Sequence, residues 1–170
     1  MATGDRPMDA ARRRELARRV LDGYAIGRFL AGVGPLLTRV RLVGLCDLAE
    51  ADIVARGLAA AGIGASRTHG DLAALGFFVC VDDLEDELIR AIGVDGVEAV
   101  LAAQGDLGSF RTMQGQLAWR GRPPEAQLRR FMGSGSRRKS RYARLLVEAA
   151  IARDVLPQPL DQLLASVGPH

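Results

Sequence analysis

The sequence predicts an α/β fold: a small parallel sheet flanked by helices, with a helical C-terminal extension. Three observations predict it. Two short apolar runs, Arg39–Cys46 and Phe77–Val81, read as buried strands rich in β-formers. A helical stretch over 48–61 lies between them, and an acidic helix start follows the second. From Val94 onward the chain reads as helices broken by glycine and proline.

Taken in order, Asp9 can cap a helix running to about Leu21, with arginines on its polar face. Asp22-Gly23 breaks it, and Ile26 to Ala31 reads as a short helix stopped by Gly32, Gly34 and Pro35. The first strand then ends at Cys46, and the helix after it is closed by Gly62 and Gly64. Residues 65–75 read as a polar connection. After the second strand come an acidic helix start over Asp82–Arg90 and helices at 94–103, 107–116, 124–132, 138–152 and 159–167. Strand, helix, strand, helix is a βαβ pattern, so the strands are expected to be parallel. The expected division is an α/β portion over 1–104 and a helical extension over 105–170 packed on it.

Composition limits the chemistry. The 170 residues are 48% apolar and 25% charged, which suits a folded domain with a real core rather than a disordered chain. No apolar run reaches the roughly 20 residues of a membrane span. The opening MATGDRPMDAARRR has no apolar signal-peptide core, so the cytoplasm is the expected location. Cys46 and Cys80 end apolar runs and read as buried, reduced thiols. His69 and His170 are the only histidines, which argues against His-ligated zinc and Ser-His or Cys-His nucleophiles. Carboxylates, arginines and a lysine are left to carry any chemistry.

Of the 23 basic residues, only Lys139 is a lysine. An Ala-, Gly- and Arg-rich chain suggests a GC-rich coding bias that turns Lys into Arg. The surviving lysine marks a place where a compact ammonium serves better than a guanidinium fork, or it survives by chance. Basic clusters at Arg12–Arg14, Arg18–Arg19, Arg120–Arg122, Arg129–Arg130 and Arg137–Arg144 stand apart from acidic ones at Asp47–Asp52 and Asp82–Glu87. One block can hold a cation and the other a phosphate backbone.

Asp47 follows one strand and Asp82-Asp83 the other. In a parallel sheet both strand ends lie on one edge, where open α/β folds place ligands. Asp47, Asp83 and Glu85 can therefore converge, with Glu50 nearby. Clustered carboxylates repel unless a cation joins them, and oxygen-only ligands favour Mg²⁺ or Mn²⁺. The alternative is helix capping. Asp47 with Glu50 has capping-box spacing, and Asp82 or Asp83 is a good N-cap ahead of Glu85, Asp86 and Glu87. Gly133-Ser-Gly-Ser-Arg-Arg-Lys-Ser140 is not a phosphate loop, because Arg138 replaces the needed glycine and no strand precedes it. It reads as a loop entering a helix, where Lys139 can stabilise charge on a phosphate and Arg137, Arg138 and Arg141 can contact nucleic acid. Trp119 reads as a packing anchor more readily than as a base-stacking platform.

Gly44-Leu-Cys-Asp47, Gly76–Arg90, Ala103–Arg111, Trp119-Arg-Gly-Arg-Pro123 and Arg137–Leu146 together resemble the TOPRIM domain of OLD-family ATP-dependent endonucleases. The resemblance covers about residues 25–167. It implies a DNA endonuclease domain using Mg²⁺ or Mn²⁺, with Asp47, Glu50, Asp83 and Glu85 as metal ligands and Lys139 and Glu85 as catalytic residues. It also implies DNA as partner, with a separate ATPase subunit or a homo-oligomer, since no Walker motif is present. The chain departs from the family at its N-terminus. Met1–Pro7 holds no strand and no glutamate, and Asp47-Leu48-Ala49 stands where Asp-x-Asp is usual. The fold is thus expected to be TOPRIM-like but reduced at the N-terminus. The competing expectation is an inactive remnant that binds DNA or a partner. A phosphoacceptor receiver is disfavoured, because its paired acids would precede its phosphorylated aspartate.

Overall fold

The computed structural model describes residues 42–167. The helices expected at Asp9–Leu21 and Ile26–Ala31, and the start of the strand at Arg39, lie outside the described residues. Strand β1 (Gly44–Asp47) pairs in parallel with β2 (Phe77–Cys80), in the register Gly44–Phe77 through Asp47–Cys80. The chain passes between them through a 3-10 turn (Leu48–Glu50), helix α1 (Ala51–Ala60) and helix α2 (His69–Ala74). Then follow α3 (Leu84–Ile92), α4 (Val94–Ala103), α5 (Leu107–Gly115), α6 (Pro124–Met132), α7 (Ser136–Arg153) and α8 (Gln158–Ser166). The class is α/β, with helix predominating.

Helix α2 falls inside the stretch expected to be a polar connection. A capping box starts it: Thr68 Oγ1 accepts the Asp71 N–H at 3.1 Å, and Asp71 Oδ2 accepts the Thr68 N–H at 3.0 Å. Asp stands where Glu or Gln is usual, and the helix has only six residues. The periodic signal was therefore too short to read. Helix α7 also starts two residues before the expected 138. Gly135 makes that start possible, because its φ of +106° is a conformation side chains rarely adopt.

The period of two along the strands divides the core into two layers. Cys46 and Phe77 turn to α1 and α2, where they pack with Ala51, Val54, Leu58 and Leu72. Phe78, one residue on, turns the other way into the larger cluster, which takes Leu88 and Ile89 from α3, Leu101 from α4 and Phe110 from α5. Leu128 and Phe131 of α6, Tyr142 and Leu146 of α7, and Leu160 and Leu163 of α8 complete it. Helices thus cover both faces of the sheet, a three-layer arrangement. One core runs from β2 to α8, so the helices beyond residue 104 share their buried face with those before it.

Gly76 lets β2 lie against the segment that enters β1. Its φ is +89°, and a Cβ there would stand 2.8 Å from the Leu42 carbonyl oxygen. The Gly76 carbonyl in turn accepts the Gly44 N–H at 3.0 Å. Cys46 and Cys80 are buried free thiols, 3% and 0% exposed, as their places at the ends of apolar runs predicted.

Candidate functional site

Because the strands are parallel, Asp47 and the Asp82-Asp83 pair leave the sheet at the same edge. Asp47 shows how close the acidic groups come. Burial first, then the charges of Glu50, Asp83 and Glu85, push its carboxyl above the ordinary aspartate range, while Lys139 draws it back. The other four expected catalytic and metal-binding positions therefore all act on the Asp47 carboxyl at this edge.

The two strand ends are built differently. Asp47 and Glu50 precede the 3-10 turn and α1, and neither side chain caps the segment behind it. The capping box their spacing allowed does not form. Asp83 does cap: its Oδ1 accepts the Asp86 N–H at 2.8 Å. Glu85, Asp86 and Glu87 fill the first turn of α3, where the positive end of the helix favours them. Glu87 Oε1 also accepts the Val81 N–H at 2.9 Å, which ties the strand exit to the helix.

Two cations from the C-terminal helices meet these acids. Arg129 of α6 reaches Asp83 at 2.8 Å and Asp86 at 3.8 Å. Lys139 of α7 stands 3.5 Å from Glu85. Arg129 was visible in the sequence only as part of a basic pair. Nothing local to it signals a partner 46 residues away.

The basic segment expected to contact nucleic acid is divided. Residues two apart on a helix point to nearly opposite sides. Lys139 lines a cleft of about 640 Å³ with Asp83, Glu85, Trp119 and Arg130. Arg137 and Arg141 line a second groove of about 600 Å³ with Gln104 and Ser140. Arg138 enters neither lining. Its guanidinium lies 4.7 Å from the Phe131 ring centre, and it donates to Ser134 Oγ at 2.9 Å. Arg141 is partly spent on structure, donating to Gln104 Oε1 at 2.6 Å and standing 3.6 Å from Asp106. Tyr142 donates to the same Asp106 carboxylate at 2.5 Å, and burial with that bond holds its hydroxyl protonated well above the usual range.

Trp119 departs from the expected packing anchor. It is half-buried on the turn between α5 and α6, outside both core clusters, and it faces the first cleft.

All candidate metal donors are carboxylate oxygens, which suits Mg²⁺ or Mn²⁺. Among the described residues, no three Asp, Glu, His or Cys side chains form a group able to hold one ion. Mg²⁺ commonly takes only one or two carboxylates and completes its shell with phosphate and water. The donor set fits that mode and does not fit an all-protein cage. No helix among the described residues is long and apolar enough to cross a membrane. No known family, curated protein or solved structure matches this chain.

Proposed function

We propose that this chain is a DNA endonuclease domain of the TOPRIM type found in OLD-family nucleases, hydrolysing or nicking phosphodiesters with Mg²⁺ or Mn²⁺. The observation that carries the reading is the placing of Asp47 at one edge of a parallel sheet, where the charges of Glu50, Asp83, Glu85 and Lys139 all reach its carboxyl and Lys139 stands 3.5 Å from Glu85. Asp47 with Glu85 or Asp83 would hold the ion. The ion would activate a water and offset charge on the phosphate. Lys139 sits beside Glu85 with a half-exposed ammonium, placed to neutralise charge on the leaving oxygen. Arg137 and Arg141 would meet the strand backbone along their own groove. A cytoplasmic location, and a separate ATPase subunit or a second copy as partner, belong to the same proposal.

A second reading, a non-catalytic DNA- or partner-binding module, is favoured by the ion pairs. Arg129 and Lys139 already neutralise Asp83 and Glu85 within the chain. Incubation with supercoiled plasmid in Mg²⁺, Mn²⁺ or EDTA separates the two. We expect metal-dependent nicking that disappears in the Glu85→Gln/Lys139→Ala double variant. Nicking that survives both changes sinks the catalytic assignment. Salt-sensitive binding by a well-folded protein that never nicks establishes the second reading.

A further inference from the structure

We propose that the cleft beside the carboxylates is a subsite for an unpaired nucleobase of the DNA strand, with Trp119 as its stacking platform. The inference rests on DNA as the partner, which both readings above share, and does not require cleavage.

Four features of the cleft point to it. The chain's single tryptophan is placed on its wall, half-buried, when both cores were available to it. Arg122 and Arg130 flank the ring, their guanidinium carbons 5.6 and 6.0 Å from its centre. An aromatic face among arginines suits single-stranded nucleic acid, because every base offers a π-face and every linkage a phosphate. The stems of these arginines are flexible, so a guanidinium can yield the ring to a base and turn its fork to the adjoining phosphate.

The third feature is how the turn is held. Gln127 is the one buried polar residue among the described residues, at 5% exposure. Its amide donates to the Trp119 carbonyl oxygen at 2.7 Å, and its own oxygen accepts from Gln114 Nε2 at 2.7 Å. A buried amide committed to one loop carbonyl fixes where the indole stands. The fourth is position. Asp83, Glu85 and Lys139 line the same cleft, whose volume lies in the range of small-ligand sites. A base on Trp119 would set its phosphate toward the groups that would cut it.

Trp119 is also its own probe. The full chain would be titrated in EDTA with a fluorescein-labelled oligothymidylate of about a dozen nucleotides, reading anisotropy and tryptophan fluorescence separately. We expect binding with quenching. An abasic oligomer of equal length and charge is expected to bind about tenfold more weakly, without quenching. Trp119→Ala is expected to lose about tenfold or more in affinity, and Trp119→Phe to retain most of it. Binding without quenching, indifferent to base removal, overturns the subsite and leaves the nuclease reading standing. Equal quenching by duplex of the same length overturns the claim that the base is unpaired. No DNA binding even at low salt overturns both. Quenching intact in a protein that never nicks keeps the subsite and removes only the catalytic reading.

Discussion

Asp47 ends one strand of the parallel sheet and Asp83 follows the other, yet only Asp83 caps the segment behind it. Asp83 is also paired with Arg129, while the charges nearest Asp47 are mostly of its own sign. The same residue type at the same kind of place thus has two physical fates. One carboxylate stabilises the fold. The other is held at a cost, first of burial and then of neighbouring negative charge, which Lys139 partly relieves. On the proposed reading, the carboxylate that caps no helix is the one that would receive a cation.

Substitution at the two positions should separate these fates. The largest effect is expected on catalysis: Asp47→Asn should abolish metal-dependent nicking while leaving the thermal midpoint unchanged or raised. A fall in midpoint of several degrees would show that Asp47 is structural after all. The next effect is on stability. Asp83→Ala removes a cap and should cost about 1 kcal/mol, lowering the midpoint by roughly 2–4 °C for a chain of this size. Asp83→Asn retains a good capping side chain and should cost only a few tenths of that. Equal losses for the two variants in thermal unfolding would mean the Arg129 pair, not the cap, is what matters.

Arg129→Gln should change stability by well under 1 kcal/mol, since the pair is partly exposed and screened. It should nonetheless tighten Mn²⁺ binding, measured by calorimetry, because Asp83 loses its internal cation. Unchanged affinity would exclude Asp83 as a ligand. The smallest effect is on pH dependence. Asp47 has a folded pKa above its unfolded value, so the folded state holds its proton longer. Its contribution therefore favours the fold at low pH and is lost as pH rises from the ordinary value of 3.8 through the raised one. Asp47→Asn should flatten that part of the stability profile.

Much of this was legible in the sequence. Phe77–Val81 running into Asp82–Arg90 announced a strand and a capped helix through composition alone. The glycines and prolines after Val94 marked the later helices within two residues. Periodicity and caps are local, and local signals survive in a single sequence. Helix α2 was missed because six residues span less than two turns and give no period to read. Arg129 as the partner of Asp83, and Gln127 as the holder of Trp119, were hidden for a different reason. Both depend on how α6 lies against distant segments, which packing decides. The division of Arg137, Lys139 and Arg141 between two grooves was implicit in their spacing of two, once α7 was known to run through them. The side to which each group faced became clear only with α3 and α4 in place.

The buried pair Cys46 and Cys80 gives the sheet a chemical memory. Burial first, and then neighbouring carboxylates, push these thiols up to about 11 and about 12, so at neutral pH almost none is thiolate. The thiolate is the form that alkylating reagents attack. The two sulfurs sit on adjacent strands whose side chains are sealed beneath helices. Their modification therefore waits for the strands to be uncovered, and the pace of labelling records how often the parallel pair opens.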